Sequence, residues 1–171
     1  MITCTTPAFR LPSFRKAFVA LGLALGLTLT ALPAQTAAAA DLTYTIAGKT
    51  VTAPTWAAKV AVWTALAQRG DPYVWGGDGP SSFDCSGLTQ YSWGKAGVYL
   101  PHSSRLQSQT GRFVSKSSLR AGDLVFFYSP VSHVAIYIGA GYIVQASTPG
   151  TVVKMTKLAY MPSYAGARRV W

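Results

Sequence analysis

The sequence contains no glutamate, and its five acidic residues are all aspartates: Asp41, Asp71, Asp78, Asp84 and Asp123. Paired-carboxylate chemistry therefore has few candidates. Only two histidines, His102 and His133, and two cysteines, Cys4 and Cys85, occur in 171 residues. Two histidines and one cysteine in scattered contexts do not make a zinc set, so no metal and no other cofactor is expected. The apolar run from Ala17 to Leu32 has sixteen residues, short of the roughly 20 that span a bilayer. Basic residues exceed acidic ones, for a net charge of +10, but beyond residue 40 they stand singly apart from Arg168-Arg169. A nucleic-acid face would cluster them, so a nucleic-acid partner is not expected.

What is present at the N-terminus has an order. Arg10, Arg15 and Lys16 precede the apolar run, and the small-residue stretch PAQTAAAA follows it, ending at Asp41. Basic, apolar and small-residue regions in that sequence read as a signal peptide over residues 1–40, cleaved after Ala40, with no membrane attachment afterwards. Cys4 precedes the apolar run and is wrongly placed for a lipid anchor. The remaining 131 residues suffice for one domain with its own core. They carry 12 basic and 5 acidic side chains, about +7, a balance that suits an anionic surface such as a cell wall. They also carry a single cysteine, Cys85, so no internal disulfide can form. An unpaired thiol in an exported protein is a reactive group, an intermolecular bridge, or an inert buried side chain.

The chain shows no internal repeat and no second domain. Residues 41–56 read as a short polar lead-in. Trp56, Val60, Trp63 and Ala67 recur at helical spacing, which predicts a helix with both tryptophans toward the core, stopped by Gly70. The stretch DPYVWGGDGPSS is loop. A second helix is expected from Asp84 or Cys85 to about Gly94–Gly97, with Leu88 and Tyr91 inward. Ser103 or Ser104 caps a short third helix reaching Gln109. LVFFY (124–128), HVAIYIG (133–139), YIVQA (142–146) and TVVKM (151–155) read as strands, with a tight hairpin at Gly139-Ala140-Gly141 and a last strand near Arg168 to Trp171. Helices first and antiparallel strands later make an α+β domain.

Within SSFDCSGLTQYSW (81–93), Cys85 falls in the first turn of the second helix. Free N–H groups and the positive helix end favour its thiolate there, with Asp84 as cap. A nucleophile needs a base, and the base a partner that orients it. His133 opens an alternating strand with Ala135 and Tyr137 on its face. The hairpin sums bring Gln145 close to opposite Ala135 or His133. His102, in the loop LPHSS, is the lesser candidate.

The runs DPYVWGGDGPSSFDCSGLTQYSW, LPHSS, LRAGDLVFF, HVAIYIG and YIVQAS, in this order, resemble the NlpC family of exported cysteine peptidases that cut bacterial cell-wall peptides. The likeness covers about Ala57 to Lys157, with residues 57–171 as the domain. It implies a papain-like fold, N-terminal helices packed on an antiparallel sheet. It implies Cys85 as nucleophile, His133 as the base that holds the pair ionised, and Gln145 at an orienting position that is a histidine in many relatives. Tyr73 is implied beside the thiol as an oxyanion donor with the Cys85 N–H. Asp84 and Ser86 match positions that in some relatives hold the free amino end of a trimmed wall peptide. Trp75, Gly76 and Gly77 are expected to shape the groove, Asp123 to serve the turn before a strand, and His102 to line the groove wall.

The expected protein is thus a secreted, monomeric, thiol-dependent endopeptidase of peptidoglycan stem peptides, acting at the bond between γ-D-glutamyl and a diamino acid. An amidase cutting at muramoyl–L-alanine, an acyltransferase with the same residues, and a catalytically silent wall-binding domain remain as alternatives.

Overall fold

The computed structural model describes residues 42–171; the expected signal peptide over residues 1–40 lies outside them. The polar lead-in folds as an antiparallel hairpin of β1 (Thr43–Ile46) and β2 (Lys49–Thr52), turned by Ala47 and Gly48 with φ of 48° and 77°. Both residues at positive φ is the hairpin geometry that matches strand twist. The hairpin docks onto the domain through the Tyr44 hydroxyl, which donates to the Ile138 carbonyl at 3.0 Å.

Helix α1 (Trp56–Ala67) starts at Thr55, whose hydroxyl accepts from the Ala58 N–H. Its buried face is Ala58, Ala61, Val62 and Ala65, so the expectation that Trp56 and Trp63 point to the core is wrong. They are 59% and 53% exposed. The helix runs against the next one, α2 (Cys85–Lys95), and small side chains let the two backbones approach closely. Indoles on that face would hold them apart. The apolar spacing was real, but the neighbouring alanines form the buried stripe.

Helix α2 (Cys85–Lys95) buries Leu88 fully and Tyr91 in part, as expected. The short helix α3 (Ser104–Gln107) is capped by the Ser103 hydroxyl. Its Gln107, fully buried, donates to the Ser86 and Pro101 carbonyls and accepts from the Thr89 hydroxyl, tying α3 to α2.

Six strands form one antiparallel sheet in the order β3-β8-β4-β5-β6-β7. They are β3 (Arg112–Phe113), β4 (Leu124–Phe127), β5 (His133–Gly139), β6 (Tyr142–Gln145), β7 (Lys154–Lys157) and β8 (Tyr164–Arg169). Alternation divides the sheet. Leu124, Phe126, Val134, Ile136, Ile138 and Val144 face the helices, while Val125, Phe127, Ala135 and Ile143 form a second core with Leu158 on the opposite face. Helices covering an antiparallel sheet make the α+β, papain-like arrangement.

Strand β7 begins three residues later than its apolar pattern suggests. Residues 151–153 pair instead with the loop that leads to the groove: Tyr73 N–H donates to Thr151 O at 2.9 Å, and Val153 N–H to Asp71 O at 2.8 Å. β8, which sequence alone placed near Arg168 to Trp171, inserts beside β4 and covers Tyr164–Arg169.

Candidate active site

The start of α2 is built by one carboxylate. Asp84 is extended (φ −92°, ψ −179°), and its Oδ1 accepts from the Gly87 N–H at 2.7 Å and the Ser86 hydroxyl at 3.0 Å. A cap of this kind is worth about 1 kcal/mol to the helix. Its Oδ2 accepts from the Gly76 N–H at 3.0 Å and meets His102 Nε2 at 2.9 Å. One side chain therefore fixes the helix start, the preceding loop and the LPHSS segment together. Gly87 permits this closeness: a Cβ there would overlap the Gly77 carbonyl and come within 2.9 Å of Asp78 Cα. The Gly77 carbonyl in turn accepts from the Asp84 N–H at 2.7 Å.

Cys85 follows, a free thiol only partly covered. Burial pushes it above the ordinary thiol range, and the Asp84 charge adds to that. The N–H of Val134, chiefly, with those of Ser86 and Cys85 itself, pulls the other way. The pull of Val134 is the informative one, because Val134 follows His133 on β5. The heads of α2 and β5 both border one groove, lined by Cys85 and His133.

His133 is 6% exposed and lies against Phe127. Its Nε2 is 2.7 Å from Gln145 Oε1. The Gln145 amide nitrogen donates elsewhere, to Thr156 Oγ1 at 3.2 Å and Met161 Sδ at 3.3 Å, so the oxygen faces the ring. The ring then carries its hydrogen on Nε2, which leaves the Nδ1 lone pair available. The register explains the pairing: Ile136 opposes Val144, and one step further Gln145 comes opposite Ala135, diagonal to His133 on the same face. Burial holds the His133 imidazolium below the ordinary histidine range, partly offset by the Gln145 bond.

These two directions alter one expectation. An ionised sulfur is expected from the helix start, and burial works against the charged form of both members of the pair. Three N–H groups do not outweigh the loss of water around the sulfur.

The groove in which they meet has a volume of about 610 Å³. Tyr73, Trp75, Gly76, Asp84, Cys85, Ser86, His102 and His133 all line it, so the residues singled out from sequence converge there, except that Gln145 stands behind His133 and Gly77 beneath Gly87. Tyr73 is pushed above the ordinary phenol range by burial, then by Cys85 and Asp84, which keeps its hydroxyl a donor. Asp123 does serve the turn, accepting from the Arg120 N–H at 2.7 Å, but it is fully buried against Arg169, a role not read from sequence.

The opposite wall was not anticipated. Ser103 and Ser104 of the LPHSS segment also line the groove, and Tyr128, Ser132, Ser147, Thr148, Pro149 and Met161 complete it. The latter come from segments between strands, where no periodic signal exists. Tyr128 alone carries a local mark, a φ of 73° that a bulky residue rarely adopts. Among the described residues no three His, Cys, Asp or Glu side chains gather as metal ligands.

The chain is similar to known proteins. A probable endopeptidase of Mycobacterium tuberculosis is 44% identical over 108 residues, which is 63% of this chain and 28% of that protein. The chain thus spans under a third of that relative's length. The NlpC/p60 domain of the peptidoglycan hydrolase SagA is 36% identical, with a TM-score of 0.62 over 66% of this chain and 98% of that domain. RipD from Mycobacterium tuberculosis, described as a non-catalytic NlpC/p60 domain protein adapted to peptidoglycan binding, is 30% identical, with a TM-score of 0.61 over 68% of this chain and 99% of its own. The model of the NlpC/P60 family matches residues 70–169, from the loop before the thiol to the last strand, and the chain belongs to that family.

Proposed function

We propose that the protein is a secreted cysteine endopeptidase that hydrolyses peptidoglycan stem peptides at the bond between γ-D-glutamyl and a diamino acid. One observation carries the reading: Cys85 and His133 line the same groove, and His133 is held by Gln145 through Nε2 at 2.7 Å. The family supplies the coarser statement, since its named members include endopeptidases and peptidoglycan hydrolases.

In this mechanism His133 Nδ1 takes the thiol proton as Cys85 Sγ attacks the amide carbonyl. The carbonyl oxygen becomes an oxyanion held by the Cys85 N–H and the Tyr73 hydroxyl. The imidazolium returns the proton to the departing amine nitrogen as the C–N bond breaks, leaving a thioester. Water, giving its proton to His133, then attacks the thioester carbonyl, and the carboxylic acid leaves as the thiol is re-formed. Gln145 orients the ring throughout without changing charge. The net positive charge of the chain keeps the enzyme near an anionic wall.

The test is digestion of purified peptidoglycan followed by mass spectrometry of the released fragments. The reading expects new amino groups on the diamino acid. Ends at L-alanine would instead assign the amidase reaction. Cys85→Ala is expected to abolish cleavage while retaining wall binding. A wild-type protein that binds wall but releases nothing would make it a silent binding domain, as RipD is described.

A further inference from the structure

The sulfur has one acidic neighbour, and that neighbour is already occupied. Among the described residues Asp84 is the sole carboxylate lining the groove, and none of its lining residues is a lysine or arginine. A carboxylate offers about four acceptor positions. On Asp84 all four are filled: Gly87 N–H and Ser86 Oγ on Oδ1, Gly76 N–H and His102 Nε2 on Oδ2. Three of these come from the helix's first turn and the loop packed on it: the Gly87 N–H that caps α2, the buried Ser86 hydroxyl and the backbone N–H of Gly76. The fourth comes from a side chain 28% exposed, on the LPHSS loop, facing the groove.

His102 is therefore the exchangeable partner. An entering ammonium group would need Asp84 Oδ2, and to reach it would have to displace a bond of 2.9 Å whose strength rises when the imidazole is charged. A substrate end without charge makes no such demand. It meets a wall whose carboxylate is already compensated by the imidazole and by two backbone N–H groups.

We infer that His102 is a specificity-determining residue: by occupying Asp84 it selects stem peptides whose amino end is acylated, as in the intact wall, over trimmed peptides with a free ammonium. This rests on the proposed action on stem peptides and names which form of them the groove takes. His102 touches neither the scissile amide nor the sulfur in this scheme. It acts by holding Asp84.

The experiment uses one synthetic stem peptide in two forms, with its amino end free and acetylated. Binding of each to the full-length Cys85→Ala protein is measured by calorimetry, so the ratio is read whether or not cleavage occurs. The expected result is tighter binding of the acetylated form. In a protein also carrying His102→Ala the ratio should shift toward the free form by about tenfold, the worth of one charge-assisted hydrogen bond. His102→Gln, which keeps a neutral donor beside Asp84, should shift it less. An unchanged ratio in both variants, or a preference of the His102-containing protein for the free form, overturns the inference. Absence of wall cleavage by the unsubstituted enzyme overturns the proposed hydrolysis instead.

Discussion

Asp123 and Arg169, 46 positions apart, face each other in a double hydrogen bond, Nε to Oδ1 at 2.8 Å and Nη2 to Oδ2 at 2.7 Å. The carboxylate is fully buried and the guanidinium 6% exposed. The pair joins the last strand to the entry of β4, and Arg169 Nη2 also donates to Ser118 O at 3.0 Å. Removing one partner leaves the other charge buried and alone. Asp123→Ala is expected to cost about 3–5 kcal/mol in urea unfolding. The double replacement with Arg169→Met should cost less than the two single changes summed, because no charge is then stranded.

Gly87 is expected to tolerate no side chain. In Gly87→Ala the methyl meets the Gly77 backbone, which holds the Asp84 N–H and cannot turn aside as a flexible side chain would. The loss should be at least the about 1–3 kcal/mol typical of overpacking, seen as a lower thermal midpoint. Gly94→Ala on the same helix meets nothing and should be neutral or stabilising.

The His133–Gln145 bond should appear in the pH profile. Burial disfavours the imidazolium, so the acid limb of kcat/KM is expected below the ordinary histidine value of about 6.5. The Gln145 bond favours the charged ring. Gln145→Ala should therefore move the limb lower still, and Gln145→Glu should move it up. Misorientation of the ring in Gln145→Ala should also lower kcat by about 10²-fold. A loss of rate with no displacement of the limb would assign Gln145 to packing alone.

Stability should follow the same two groups. His133 is lowered on folding, so its contribution is present above the unfolded value and is lost as pH falls through the folded one. Cys85 is raised, so its contribution is present below the unfolded thiol value and is lost as pH rises. The unfolding midpoint should be highest between these windows. Cys85→Ala should remove the alkaline decline associated with that group. Alkylation of Cys85 in the free protein should rise only above the ordinary thiol range.

Tyr73→Phe removes the proposed side-chain donor to the oxyanion. The expected loss is about 10²-fold in kcat with KM little changed. The thermal midpoint should stay close to wild type, since the ring, which carries the packing, remains.

The site was legible where chemistry is local. Asp84 next to Cys85 and Gly87 reads as a helix cap, and the structure builds it from those residues. The β5–β6 hairpin was legible because Gly139, Ala140 and Gly141 can all take positive φ, and its register leads to Gln145. The β1–β2 hairpin was missed because its turn uses Ala47-Gly48 rather than Asn or Asp before the glycine. The tryptophans of α1 were placed on the wrong face because spacing shows a stripe without showing which stripe is wanted. The Asp84–His102 bond has no signature in spacing, since the two residues meet only after the loop folds over α2.

By itself the sequence determined a helix headed by a thiol, strands of period two, and a histidine opening one of them. Those features depend on caps, turns and alternation among residues a few positions apart. Only the tertiary structure decided that the sulfur and imidazole line one groove, that burial there works against the charged form of each, and that a second histidine fills the neighbouring carboxylate. Desolvation and hydrogen-bond occupancy depend on atoms brought from distant parts of the chain, and no short stretch of sequence contains them.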